Sequence, residues 1–219
     1  MDYFYTEYTL CYTRRVNYAL EPGRRERKRQ AVHQNLLETA SRLFAEQGVS
    51  RTTVDDIAEA ADVARQTVFN HFPYKEAFTL ELASTSIQHT AHAAYALLEA
   101  GTPALDVLER TAERVLNIAL EQGERAAVVA RELLHPDGER ASWAAERVPL
   151  SALISAILTQ AREEGTVRSD LPLESVANRI SSVIISIVAQ VMISDAVSLR
   201  RDLSVCLDVL CNGITERRS

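Results

Sequence analysis

The chain has 219 residues, 47% of them hydrophobic and 25% charged, which is ordinary for a folded globular protein and argues against a disordered or fibrous one. That length can bury one sizeable core, or a small unit beside a larger one. The formal net charge of −6 weighs against a nucleic-acid partner only as a sum, because residues 1–80 hold 11 basic and 11 acidic groups while residues 81–219 hold 13 and 19. The negative excess therefore lies wholly in the second part.

Residues 1–23 hold five of the seven Tyr and no trustworthy period, and are expected to form a disordered or loosely attached arm. They lack the apolar run of a secretory leader. Arg14, Arg15, Arg24, Arg25, Arg27, Lys28 and Arg29 face only Glu21 and Glu26, so a basic stretch leads into the first helix. Contact with phosphates or a minor groove is the favoured role for residues 24–29.

The first helix is predicted over 24–47, with Leu36, Ala40, Leu43 and Phe44 at helical spacing and Gly48 ending it. A short helix opens at Thr53, whose hydroxyl can cap the following turn, and Asp56 three residues on completes a capping-box pattern. Val54, Ile57, Ala58 and Ala61 form its apolar stripe. Asp62 suits a tight turn because Asp tolerates left-handed backbone. A third short helix is predicted over 65–71, with Val63, Val68, Phe69 and Phe72 turned inward, and Pro73 ends it.

Beyond Tyr74 the pattern predicts helices at about 75–99, 104–121, 123–134, 142–164, 173–195 and 199–215. Between them lie Gly101-Thr102-Pro103, Gln122-Gly123, Pro136-Asp137-Gly138, Gly165 and Asp170-Leu171-Pro172. No segment alternates with period two, so the fold class is all-α. The domains expected are the arm at 1–23, a three-helix unit at 24–74 and a larger helical unit at 75–219. The apolar run 180–194 is too short for a span of about 20 residues. Cys11, Cys206 and Cys211 lack metal-ligand spacing and fit reduced thiols in a cytoplasmic protein.

Two short helices around a tight turn, the second polar on one face, are what a DNA-reading helix-turn-helix requires. The second helix presents its first side chains to base edges in a major groove about 12 Å wide. Its outward face here offers Arg65, Gln66, Thr67, Asn70 and His71. Arg can fork onto guanine, Gln or Asn onto adenine, and a Thr methyl can meet a thymine methyl.

The segment from Asn35 to Leu80 resembles the TetR family of transcriptional regulators, through LLETASRLFAEQG, TTVDDIAEAADVARQTVFNHF and PYKEAF. The resemblance implies a ligand-responsive regulator, by family habit a repressor, binding double-stranded DNA at a palindromic operator as a homodimer. It implies that Thr53 holds a phosphate at the mouth of the second helix, that Arg65, Gln66, Thr67 and Asn70 face bases or nearby backbone, and that His71 and Lys75 take phosphates. Four departures from the family pattern are Asp62 where the turn usually has Gly, Ala64 where a small hydroxyl cap is usual, Tyr74 where Ser or Asn is common at the next helix start, and Asn70 where an aromatic is frequent.

By the same resemblance the middle helices enclose a small-molecule effector. The candidate lining groups are His89, His92, Tyr95, Arg114, His135 and Trp143. The last two long helices carry apolar stripes, and the resemblance makes them a four-helix interface between subunits. The candidates there are Ile180, Ile184, Ile187, Val191, Leu203, Leu207 and Leu210. No cofactor, metal or membrane partner is expected. His89 and His92 stand at i, i+3 but lack the further ligands a metal needs. An enzyme would need a nucleophile with its base, a phosphate loop or clustered carboxylates, and none is found. The other reading is a helical dimer that uses the same motif for protein contact.

Overall fold

A computed structural model describes residues 23–215, and among these it contains ten helices and one isolated bridge between Val167 and Thr215. The N-terminal arm, apart from Gly23, lies outside the described residues, as do Arg14, Arg15 and Cys11. Helix α1 (Arg24–Gln47) buries Leu36, Ala40 and Phe44 at i, i+4 and i+8, one face of a 3.6-residue period. It stops at Gly48, whose φ of +84° with ψ of 159° is a conformation open essentially to glycine alone.

Helix α2 (Val54–Ala60) starts on a complete capping box. The Thr53 hydroxyl accepts from the Asp56 amide at 3.1 Å, and the Asp56 carboxylate accepts from the Thr53 amide at 2.8 Å. Asp62 has φ +54°, so the turn is made by an Asp in the left-handed region, as its residue type predicts. Helix α3 (Arg65–His71) begins at Ala64 with no side-chain cap. The Asn35 side-chain amide supplies a tie from α1 by donating to the Ala61 carbonyl at 3.1 Å.

Seven further helices follow: α4 (Glu76–Glu99), α5 (Ala104–Gln122), α6 (Glu124–Leu133), α7 (Gly138–Arg147), α8 (Leu150–Glu163), α9 (Leu173–Val188) and α10 (Ala196–Ile214). Three boundaries differ from those read off the sequence. The segment expected at 142–164 is two helices. Pro149 offers no amide and disfavours helix at Val148, while the Asp137 carboxylate caps an earlier start at Glu139 and Arg140. Helix α9 stops at Val188 although apolar residues continue to Ile193, because Met192 and Ile193 are exposed and supply no packing to extend it. The Asp195 side chain then caps α10 by accepting from the Val197 and Ser198 amides.

Two main cores result. The larger joins α4, α5, α6, α8, α9 and α10 through aliphatic residues such as Leu108, Leu153, Ile157, Ile180 and Leu203. The smaller fills the space between α1, α2 and α3 with Leu36, Phe44, Ile57, Val68 and Phe72, and it also takes in Ala77 and Phe78 of α4 and Val128 of α6. Phe69, expected inward, is instead exposed. A seven-residue helix has only about two turns to bury, and Val68 and Phe72 already occupy its inner line.

Replacing Gly48 by Ala tests the first helix stop. The new Cβ would lie 2.8 Å from a carboxylate oxygen of Glu124, in a backbone conformation an L side chain rarely takes. A loss of about 1–3 kcal/mol is expected in urea unfolding.

Candidate nucleic-acid interface

The outward side of the helix-turn-helix brings together four of the sequence-predicted residues on α3. Arg65, Gln66 and Asn70 are exposed and Thr67 is half-buried. Gln66 donates to Asn70 across one turn at 3.2 Å, so the two amide side chains stand as a pair. Arg65 donates to both carboxylate oxygens of Asp55, at 2.7 and 2.9 Å, and its guanidinium lies 5.5 Å from the centre of the Phe69 ring. Phe69 and Asp55 are members of this face that sequence reasoning missed. Thr53 sits exposed at the mouth of α2 with its oxygen used as acceptor, which leaves the hydroxyl proton free to donate.

Lys75 and His71 are placed differently. The Lys75 ammonium donates to the Val49 carbonyl at 2.9 Å, one of its three available bonds. It helps fix the loop 48–52 between α1 and α2. On the other side of that loop the Glu124 carboxylate, first residue of α6, accepts from the amides of Val49 and Ser50, both at 2.9 Å, and from the Ser50 hydroxyl. The Ser50 hydroxyl bond chiefly holds its carboxyl below the usual range. The Ser50 and Val49 amides and the Lys75 charge add to this, against the opposing effect of burial. Nothing near Glu124 in sequence announces this role, since its partners lie 74 and 75 residues away.

A second junction forms around Tyr74. Arg140, Trp143 and Arg147, on one face of α7, meet it or its neighbours. The Arg140 guanidinium lies 4.2 Å from the Tyr74 ring centre, and that of Arg147 lies 3.3 Å from the Trp143 ring centre. Arg140 also pairs with the buried Glu132 at 2.7 Å, and Arg147 Nε lies 3.3 Å from Glu81. Beside this junction α1, α3, α4 and α7 enclose a cleft of about 450 Å³, lined by residues that include Arg29, His33, His71, Glu81 and Arg147.

His71 faces this cleft, with its ring 5.6 Å from that of His33. His33 in turn stacks on Phe72 at 4.6 Å. Burial pushes both imidazoles below their ordinary range. For His71 the neighbouring His33 and Arg29 act in the same direction, and for His33 burial prevails over an opposing pull from Glu81, with Arg29 and Arg147 adding to the lowering.

Comparison with known proteins bears on what this surface does. The family model for bacterial regulatory proteins of the tetR family matches residues 36–82, and that for the C-terminal domain of TetR/AcrR family transcriptional repressors matches residues 84–213. The chain belongs to the TetR family of transcriptional regulators. Among curated relatives, the transcriptional repressor AcnR of Corynebacterium efficiens is 31% identical over 147 residues, which are 64% of this chain and 71% of that protein. The transcriptional regulator TcmR of Streptomyces glaucescens is 42% identical over 78 residues, 36% of this chain and 33% of that protein. Among solved structures, the TetR-family repressor FadR of Thermus thermophilus, in complex with lauroyl-CoA, is 29% identical with a TM-score of 0.79. The match covers 85% of this chain and 97% of that one.

In a TetR-family frame the remaining sequence-predicted residues separate. His89, His92 and Arg114 are exposed, and His135 accepts from the Asp137 amide in a local turn. Trp143 belongs to the Tyr74 junction. Tyr95 packs against the larger core. Among the described residues no group of three or more His, Cys, Asp or Glu could hold a metal ion, and no helix is long and apolar enough to cross a membrane. Of the seven subunit-interface candidates, Ile180, Ile184, Ile187, Leu203 and Leu207 are buried within the single chain, while Val191 and Leu210 are half-buried. The outward side of α10 carries Val197, Val205 and Val209 instead, at 77%, 57% and 65% exposure.

The histidine pair predicts acid sensitivity. With both folded-state values below the ordinary 6.5, the unfolded chain binds more protons as pH falls through that value, so stability present above it is lost below it. Urea midpoints are expected to fall between pH 7.5 and 5.5. The double variant His33→Gln, His71→Gln should flatten that dependence, and an unchanged slope would refute the assignment. The depressed carboxyls of Glu124 and Asp56 act only at lower pH and leave this window clear.

Proposed function

We propose that this chain is a dimeric repressor that reads a palindromic operator with α3 and lets it go when the apolar part of a small molecule enters the helical body. In this reading residues 24–74 are the reading head, residues 75–219 sense and dimerise, and the protein acts in the cytoplasm without catalysing a reaction. The observation that carries the reading is the open, hydrogen-bonding face of Arg65, Gln66, Thr67 and Asn70, with a free donor at Thr53 beside it. Lys75, with two donors unspent on Val49, would meet a phosphate close to Thr53. His71, turned into the α1 cleft, is left out of the phosphate contacts.

Val197, Val205 and Val209 support pairing of two copies, because apolar residues repeated on one line of a helix favour burial. Two heads about 34 Å apart would then meet successive major grooves on one side of the duplex. The aliphatic core of the body supports an apolar effector. Within it the Ser181 hydroxyl is buried with no partner among the described residues, so a ligand's polar atom could satisfy it. Tyr95 packs on the same core. The lauroyl-CoA complex of the Thermus FadR makes a long-chain acyl thioester the first effector to try.

Selection of bound sequences from random DNA with purified protein should return a palindrome. Affinity for it should fall steeply with salt as counterions leave the phosphates. Arg65→Ala or Asn70→Ala should relax base preference at single positions by about tenfold each, whereas Lys75→Ala should weaken binding to every sequence alike. Adding lauroyl-CoA should release the operator. Salt-insensitive binding, or no sequence preference, would sink the reading. Val205→Asp with Val209→Asp should sediment as a folded monomer, with weaker operator binding than the parent dimer.

A further inference from the structure

Arg65 opens α3, and its partner Asp55 lies in the first turn of α2, ten residues earlier. The pair spans the turn and ties the two helices at the end that faces outward. Only one nitrogen of the guanidinium, Nη1, is engaged, with both Asp55 oxygens. The side-on fork formed by Nε and Nη2 lies outside this ion pair. Phe69, one turn along α3, lies beneath the same guanidinium and is itself exposed.

An ion pair whose side chains are 60% and 63% exposed adds little to folding. Its consequence is orientation. Arg is a long side chain with many rotamers, and reading guanine needs two parallel N–H groups aimed at O6 and N7. A guanidinium held at Nη1 by a carboxylate and supported below by an aromatic ring has lost most of that freedom before DNA arrives. The ordering cost of binding is therefore reduced, and only one approach of the fork is offered. The carboxylate also penalises a misplaced duplex, since any phosphate that draws Arg65 away leaves Asp55 facing like charge.

We propose that Asp55 is a positioning residue for base specificity. By gripping one nitrogen of Arg65 against Phe69, it aims the free fork at a single guanine in each operator half-site. This rests on the reading of α3 as the groove helix. Asp56 beside it has a separate task, the capping box, so Asp55 can be changed without uncapping α2.

The test uses the full-length protein and the operator returned by selection, with each half-site position changed singly and affinities measured by competition. The parent protein should show one guanine whose replacement costs about tenfold or more, and Arg65→Ala should abolish that preference. Asp55→Ala should lose most of the preference at that same position and no other, while binding to scrambled DNA holds or rises as a negative charge is removed. In the Arg65→Ala background, Asp55→Ala should change nothing further, and the urea midpoint of Asp55→Ala should match the parent. An Asp55→Ala protein that keeps its guanine preference within twofold, or loses affinity equally for all sequences, overturns the proposal. A preference that survives Arg65→Ala overturns it too while leaving the groove helix standing. Absence of any base preference in the parent removes both.

Discussion

The loop between α1 and α2 is tied to α6 by one carboxylate. Glu124 takes two backbone amides and a hydroxyl of residues 49 and 50, and Lys75 holds the Val49 carbonyl from the other side. These groups need each other. The two amides lie beyond the last turn of α1, and Gly48, with its positive φ, turns the chain out of the helix just ahead of them. A carboxylate serves better than a neutral acceptor, because charge-assisted bonds to amides are shorter and stronger. The position of the capped helix α2, and through it that of α3, follows from where α6 begins.

That dependence couples the two halves of a TetR-family regulator in physical terms. Gly123, with a φ of +56°, makes the corner between α5 and α6, and the Met192 sulfur after α9 lies 3.8 Å from where a Cβ on that glycine would stand. A rearrangement of the body that shifts the start of α6 must either carry the loop with it or break three hydrogen bonds. The Tyr74 junction, with Arg140 and Arg147 stacked on aromatic rings, braces the other side of the head against α7. The histidine-lined cleft is walled in part by Arg147 of that junction and by Glu81, so it too lies where the head meets the body.

The sequence was readable wherever structure is set locally. Thr53 and Asp56 cap within three residues, Asp62 chooses its own turn, and the stripe of Leu36, Ala40 and Phe44 needs only a helical period. It misled where neighbours decide. Phe69 reads as core by residue type, yet Val68 and Phe72 had filled the inner line of a two-turn helix. Ile180 and Leu203 are apolar enough for a subunit interface, but whether they meet another chain or their own depends on how α9 and α10 are rotated. His89, His92 and Arg114 were singled out by residue type, but which side of a helix such a group faces is set by packing, and all three are exposed. Glu124 was invisible because its meaning lies in a loop far away in the chain.

Val128 sits on α6 yet packs among Leu36, Phe44, Ile57 and Phe72. The three-helix head therefore does not own its whole interior. A fragment ending at Tyr74 would lack that side chain as well as Ala77 and Phe78, and would expose the surface they cover. Exchange of heads among regulators of this architecture, whether in evolution or by engineering, would have to transplant a compatible piece of the body as well. A splice drawn at the boundary suggested by the motif alone would yield a chimaera with a hole in its smaller core.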